Sequence, residues 1–273
     1  MSFSWASSIE GVDYIENAQL SKHTTLKLNV IGDLALVKTP DALKILVREI
    51  SKRKLSYRTL GWGANQVLSG TKKALYIKLK FEFDREILSS PRERYHLPAS
   101  APLNALQSHA QKFGLVGWEA ITGVPASLGG AIVMNAGTAL GEIGDFVESV
   151  EILSSSGDLR THRVMEGSFV YRGNTFLNEG DIIISAVLIN KGQDPSISEK
   201  IKDYMNYRKE SQPLRAFTCG CVWKNKGPYH KAGLMIDKSG LGNLAVGGLE
   251  VSSVHSNFFE NNGEGTYDDF QEL

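Results

Sequence analysis

The stretch TGVPASLGGAIVMNAG, residues 122–137, carries Gly123, Gly129, Gly130 and Gly137, with Ala126, Ala131 and Ala136 between them. Its polar side chains are few (Thr122, Ser127 and Asn135), and none is charged. A segment this small and neutral lets a flat or extended ligand lie directly on the backbone, because glycine permits an approach that a Cβ would block. The competing reading is a tightly packed turn and helix inside a core. A second cluster, LGWGANQVL at 60–68, bears on the choice. It opens like G-x-G-x-x-G, but Gln66 stands at the third glycine position and Gly70 follows before any helical pattern, which disfavours a Rossmann turn. What remains is an ordinary turn, or a loop whose amides converge on a phosphate with no helix behind it. Two backbone-exposing clusters in one domain point to a large phosphorylated cofactor.

Around these clusters the periodicities alternate between helix and strand. Thr39 reads as an N-cap with Pro40 at the first helical position, followed by the stripe Leu43, Leu46, Val47 and Ile50. SYRTL is a strand running into the first glycine cluster. In ALYIKLKFEF (74–83), Leu75, Ile77, Leu79, Phe81 and Phe83 share one strand face. After Ser100, a second helix carries Leu103, Leu106, Ala110 and Phe113 to Gly114. ESVEILSSSGDLRTHRV reads as two strands around a Ser-Gly-Asp turn. DIIISAVLI (181–189) is apolar on both faces and hence central. KGQDPS (191–196) is the best linker, and Ser196 with Glu199 suggests a capping box on a helix to about Arg208. The expected organisation is an α+β unit over 1–192, with subdomains of about 1–72 and 73–192, and a smaller unit over 193–273.

Thirty Lys plus Arg balance thirty Asp plus Glu, which argues against a nucleic-acid binder, where a basic excess is the rule. No apolar run approaches a membrane span, and the start MSFSWASSIEGVDYIE lacks the pattern of a signal peptide. The only cysteines, Cys219 and Cys221 in TCGCVWKN (218–225), are too few for a disulfide framework. A cytoplasmic, monomeric protein without a metal is expected. Read alone, the thiol pair admits a reactive thiol, a metal clip, a strained disulfide or two small buried residues. Metal binding wants three or four ligands, and a bridge between residues two apart closes a strained ring.

Six motifs occur in order: LGWGAN, GWEAITGVPASLGGAIVMNAG, FVYRGNTF (169–176), CGCVWKN, AGLMIDKSGLG (232–242) and VSSVHSNFFENN (251–262). Together they resemble the UDP-N-acetylenolpyruvoylglucosamine reductase family over about residues 20–270. The resemblance implies an α+β FAD-binding domain of the vanillyl-alcohol/p-cresol oxidase type and a C-terminal substrate domain. It implies that Gly61, Trp62, Gly63, Ala64 and Asn65 hold the FAD pyrophosphate. Gly123, Val124, Pro125, Ala126, Gly129, Gly130, Ala131 and Asn135 would line pyrophosphate and flavin. It further implies that NADPH reduces FAD and that hydride then passes to the enolpyruvyl group of UDP-N-acetylglucosamine enolpyruvate. Arg172, in the YR motif, would be the cation beside the developing enolate, a task suited to a planar guanidinium. Cys221 would be the proton donor, since a thiol titrating near ~8.5 is protonated at neutral pH yet acidic enough to protonate a carbanion. Arg208, Lys224, Asn225 and Asn257 fall where the family contacts substrate. His255 matches its motif position but reads as a buried, hydrogen-bonded histidine, and Cys219 as a bystander.

The chain also departs from the family pattern. HTTLKLNVIGDLALV (23–37) has only Gly32 where the family has a Gly-Gly-Pro-Ala-like segment. Asn174 stands at a usual serine, Lys226 at a usual proline, and Gly240-Leu241-Gly242-Asn243 replaces a GLKG loop. Only TFLNEGD separates YRGN from the next strand, as in members lacking a tyrosine-loop insertion. The family continues past DDFQEL to a strand bearing a catalytic glutamate, so the second domain reads as shortened. That role is carried onto none of Asp268, Asp269 and Glu272. The alternative is an FAD- or nucleotide-sugar-binding paralogue without turnover. An oxidase of the wider FAD-domain class is disfavoured by the substrate-domain motifs.

Overall fold

The computed structural model describes residues 3–70, 74–227 and 229–273. Strands β1 (Val12–Gln19), β2 (Ile31–Val37), β3 (Ser56–Thr59) and β4 (Ala74–Leu79) form one sheet in the order β1-β2-β4-β3, with β4 parallel to both β2 and β3. Helix α1 (Pro40–Lys52) begins as its sequence predicts: Thr39 Oγ1 accepts from the Ala42 amide at 3.1 Å, a cap worth about 1 kcal/mol. Its stripe Leu43, Leu46, Val47 and Ile50 is buried with Leu75 and Ile77 of β4. β4 is shorter than the alternation suggests. It ends at Leu79, where the Lys80 amide turns to Val37 O. As an interior strand it is covered on both faces, so Tyr76 is buried beside Leu75 and Ile77.

A second sheet carries the glycine-rich segment. β5 (Arg94–Pro98) precedes α2 (Leu103–Phe113), α3 (Leu128–Val133) and the short hairpin β6 (Gly137–Thr138) and β7 (Gly141–Glu142). β8 (Val147–Leu153) and β9 (Leu159–Arg163) follow, then the hairpin β10 (Phe169–Val170) and β11 (Gly173–Asn174), and then β12 (Ile182–Ile189). The sheet order is β5-β12-β8-β9, all antiparallel, so the doubly apolar β12 is central as expected. Its two faces serve two cores. Ile182 and Ile184 join the core under α1, while Ile183, Ala186 and Leu188 join a core around Trp118, Tyr95 and Phe146. A bulge between Ile183 and Ser185 accounts for the change of parity, since one extra residue turns the following side chains to the other face.

α2 ends at Gly114, whose φ of +66° places it in the left-handed region. A Cβ there would stand 2.9 Å from the Asp194 carbonyl carbon. This close approach corrects the linker expectation for 191–196. Val116 N donates to Gly192 O at 3.0 Å, Asp194 N to Gly114 O at 2.8 Å and Gln193 Nε2 to Phe113 O at 2.8 Å. The segment is therefore strapped to the end of α2. The next helix, α4 (Ser196–Ser211), is started by Asp194 rather than by a Ser196 box: Asp194 Oδ1 accepts from Ser196 N at 2.8 Å.

By packing, the chain divides into one unit of Met1–Glu16, Asp33–Gly61 and Lys73–Met205 and another of Asn17–Gly32, Trp62–Lys72 and Asn206–Leu273. In the second unit, α5 (Ala232–Lys238) precedes a sheet ordered β13 (Ala245–Val246), β14 (Leu249–Val251) and β15 (Phe259–Asn261), and α6 (Tyr267–Glu272) follows. Asn261 joins the early segment to this sheet, its Nδ2 donating to Leu26 O at 2.8 Å. No helix among the described residues is long and apolar enough to cross a membrane.

Buried His109 on α2 links pH to stability. Leu88 O can only accept, so Nδ1 carries the proton (2.9 Å) and Nε2 accepts from Tyr95 OH (2.8 Å). Desolvation depresses the imidazole pKa, Lys112 adds to the effect, and the Leu88 bond opposes it. Folding thus favours the neutral ring. This contribution is present above the unfolded-chain value of about 6.5 and is lost as pH falls through the folded value. The urea midpoint should fall as pH drops from about 6.5 towards the folded value, and fall less steeply in His109→Gln, which retains the other depressed histidine, His162. Equal slopes in the two proteins would assign the acid loss elsewhere.

Candidate active site

The first unit holds the long glycine segment. The Ser127 hydroxyl caps α3, accepting from Gly130 N at 3.4 Å. Gly129 is required by contact: a Cβ would lie 2.8 Å from Ala99 Cβ. The amides of this segment are largely engaged within the protein. Gly123 N reaches Gln107 Oε1 (2.6 Å), Val124 N reaches Ile121 O, Ala126 N reaches Val124 O, and Leu128 N and Gly129 N reach Ala101 O and Ala99 O (both 2.8 Å). The segment therefore offers a flat surface of small side chains, with most of its donors already engaged. Gly61 belongs to the same surface, its Cβ position 3.3 Å from Ser127 Oγ.

The other glycine cluster behaves differently. Trp62, Gly63, Ala64 and Asn65 pack in the second unit. Among the described residues, nothing accepts from their four amides. Gly63 has φ +66°, and a Cβ would come within 2.7 Å of Thr24 Cα. Consecutive amides left unengaged in a half-buried loop suit a phosphate ligand, because an unpaired buried N–H is otherwise costly. Each unit, described by itself, thus presents one feature: unengaged backbone donors in the short cluster, and a flat surface of small side chains in the long one.

Asn135 and Arg172 meet in the first unit. Both have positive φ, 41° and 55°, unusual for residues with side chains. Arg172, in the turn between β10 and β11, donates NH1 to Asn135 O (3.2 Å) and NH2 to Gly137 O (3.0 Å). Its guanidinium lies over the Tyr171 ring, 5.2 Å from the centroid. Asn174, the departure from the family pattern, donates to Val133 O (3.0 Å) and accepts from Leu177 N (3.0 Å), tying the turn to the end of α3. Sequence reading missed Glu142, whose carboxylate lies 3.5 Å from Arg172 NH1 and 2.5 Å from Asn135 Nδ2. The signal was a single glutamate after a glycine, with no motif of its own.

Cys221 and its neighbours lie in the second unit. Cys221 is exposed and bridges antiparallel to Phe258, while Cys219 is buried and no disulfide joins them. Burial pushes the Cys219 thiol up to about 11, so it stays protonated at neutral pH. Thr25, also unremarked in the sequence, holds the glycine loop and the cysteine segment of this unit together. Its amide donates to Gly63 O (3.2 Å) and its hydroxyl to Thr218 O (2.6 Å). Asn257, expected to touch substrate, is 3% exposed and gives its carboxamide to the Trp223 backbone. Oδ1 accepts from Trp223 N and Nδ2 donates to Trp223 O, both at 2.9 Å. It fixes the backbone of the Cys221–Asn225 segment at Trp223. His255 accepts the Asn257 amide at Nδ1 (3.2 Å) and so carries its proton on Nε2 when neutral. Lys224 and Asn225 are exposed, and Asn225 Oδ1 takes the Ala232 amide at the start of α5. Arg208, on α4, donates Nε to Gln212 Oε1 at 2.9 Å. Among the described residues, no group of His, Cys, Asp and Glu is arranged to hold a metal ion.

Comparison with known proteins adds to this geometry. Residues 212–273 match the model of the UDP-N-acetylenolpyruvoylglucosamine reductase C-terminal domain, and residues 34–163 match an FAD binding domain. A UDP-N-acetylenolpyruvoylglucosamine reductase of Moorella thermoacetica is 33% identical over 95% of this chain and 85% of its own length. The chain belongs to the UDP-N-acetylenolpyruvoylglucosamine reductase family. With that family it is an FAD-dependent oxidoreductase. The reductase of Streptococcus pyogenes is 32% identical over 97% of this chain and 90% of its own. The crystal structure of the Thermus caldophilus reductase superposes with a TM-score of 0.80 at 31% identity, covering 96% of this chain and 92% of that one. A BBE-like protein of Physcomitrella patens, 12% identical, shares the fold alone, with a TM-score of 0.51 over 69% of this chain and 44% of its own. The architecture is α+β, with an FAD-binding domain of the vanillyl-alcohol/p-cresol oxidase type.

Proposed function

We propose that this chain reduces the enolpyruvyl group of UDP-N-acetylglucosamine enolpyruvate to give UDP-N-acetylmuramate, a step of peptidoglycan synthesis. FAD supplies the hydride when bound, having received it from NADPH. Overall, one hydride and one proton add across the enol-ether double bond, and NADPH leaves as NADP. The amides of Trp62 to Asn65, with Gly61, would hold the pyrophosphate. The small surface of Gly123, Val124, Pro125, Ala126, Gly129, Gly130 and Ala131 would lie against the cofactor, with Asn135 at the end of that lining.

The observation that carries this reading is the state of Arg172. Two backbone carbonyls and one carboxylate hold its guanidinium, so it is preorganised before negative charge develops on the substrate carboxylate and the adjoining carbon. Preorganised charge acts without reorganising at the moment of reaction. Cys221 is the acid that protonates that carbon. Its exposure gives water a route to restore the proton. Lys224 and Asn225 stand three and four residues further along the same segment to receive the nucleotide sugar, and Arg208 adds a second cation. Asn257 holds that segment in place. The chain is read as the form without a tyrosine loop over the substrate.

The protein supplied with FAD should oxidise NADPH only when UDP-N-acetylglucosamine enolpyruvate is added. Steady oxidation without it, with oxygen consumed, would instead make the chain an oxidase.

A further inference from the structure

Glu142 has no part in the reading above, yet its environment is unusually specific. It ends β7, and its carboxylate accepts from the Asp145 amide in a capping box, which fixes the carboxylate relative to the backbone. Oε2 accepts from Asn135 Nδ2 at 2.5 Å, and Oε1 faces Arg172 NH1 at 3.5 Å. Asn135 is 2% exposed. Its remaining side-chain bonds, Nδ2 to Val170 O (3.2 Å) and Oδ1 from Gly144 N (3.1 Å), tie the segment after α3 to the strand before Arg172 and to the turn after Glu142. Asn135 and Arg172 both hold left-handed backbone conformations. Such conformations persist only where the surroundings over-determine them. Here the Glu142 carboxylate bonds both side chains, and it is also an anion that attracts the guanidinium.

We infer that Glu142 is a positioning residue for Arg172. It sets the plane and direction of the guanidinium through a two-point bridge, one point on Arg172 and one on the Asn135 side chain, whose own backbone carbonyl is an Arg172 acceptor. The inference rests on Arg172 being the cation beside the reacting carboxylate. A glutamine at 142 keeps the size but places an NH2 opposite one of the two donors, so one arm of the bridge fails. An aspartate keeps both acceptors but falls short of one partner.

The test is a cycle of Glu142→Gln, Arg172→Ala and the double variant. Turnover and KM are read alongside the calorimetric substrate affinity, FAD content and thermal midpoint. Glu142→Gln should keep its FAD and its flavin reduction by NADPH, and lose about 10- to 100-fold in kcat, the scale of a catalytic group displaced by about an ångström. In the Arg172→Ala background the same change should cost less than about twofold, because residues acting as a unit are not additive. Substrate affinity should show the same coupling. An equal loss in both backgrounds, or no loss in the single variant while Arg172→Ala is slow, overturns the inference and leaves the functional reading intact. If Arg172→Ala alone turns over like wild type, the functional reading of Arg172 falls instead. Should Glu142→Gln not fold, Glu142→Asp takes its place in the cycle with the same expectations.

Discussion

Cys221→Ala should leave reduction of bound FAD by NADPH at the wild-type rate and slow product formation by about 10²–10⁴-fold, the usual worth of a positioned general acid. The two half-reactions separate because the thiol has no role until a carbanion needs a proton. Alanine is also a mild change structurally. Cys221 is exposed, and the strand segment around it is fixed by backbone pairing with Phe258 and by the Asn257 carboxamide. The variant should therefore keep its thermal midpoint. Cys221→Ser should recover part of the rate, since a hydroxyl supplies a proton from the same place. Cys219→Ala should not slow either half-reaction: that thiol is buried, and its ionisation is pushed up to about 11. Stopped-flow absorbance of the flavin, followed with and without substrate, reads both halves. Wild-type turnover in Cys221→Ala would remove the proton-donor assignment.

Arg172→Ala should reduce kcat by about 10²–10³-fold, the loss seen when one preorganised donor to a developing anion is removed. Arg172→Lys should recover little of it. The site offers Gly137 O and Asn135 O to two different guanidinium nitrogens, and an ammonium on a flexible stem cannot meet both while facing a carboxylate. Because the substrate carboxylate is charged before as well as during the reaction, KM should rise too. A rise in KM with unchanged kcat would make Arg172 a binding residue only.

Local signals were read well from the sequence wherever a few neighbouring residues decide the outcome. Thr39 and Pro40 start α1, Gly114 stops α2, and the doubly apolar run 182–189 marks a central strand. Even there, the alternation in 74–83 overshot, because an interior strand buries both faces and its end is set by a bond to Val37 on another strand. The misreading of 191–196 as a linker has the same origin. Gly, Pro and Asp suit a loose connection, and the same residues suit a close approach to Gly114.

The candidate site is written in the sequence as motifs and not as geometry. Two glycine clusters look alike as strings, yet one has its amides largely engaged and the other has four that nothing among the described residues accepts from, a difference made by partners at Ala99, Ala101 and Gln107. Asn257 reads as a polar residue in a substrate motif, and only the fold shows its carboxamide on the Trp223 backbone. Thr25 and Glu142 carry no motif. Their importance comes from standing 193 residues from Thr218 and 30 from Arg172 in the chain, separations that no local pattern encodes.

The most direct measurement is a single anaerobic turnover. Protein whose FAD has been reduced by one equivalent of NADPH is mixed with UDP-N-acetylglucosamine enolpyruvate, and the flavin absorbance is followed while the sugar product is identified by mass. The oxidised flavin spectrum should return only with substrate present, with one equivalent of UDP-N-acetylmuramate formed. A flavin that stays reduced while the substrate binds would contradict the reductase assignment and describe a binding protein without turnover.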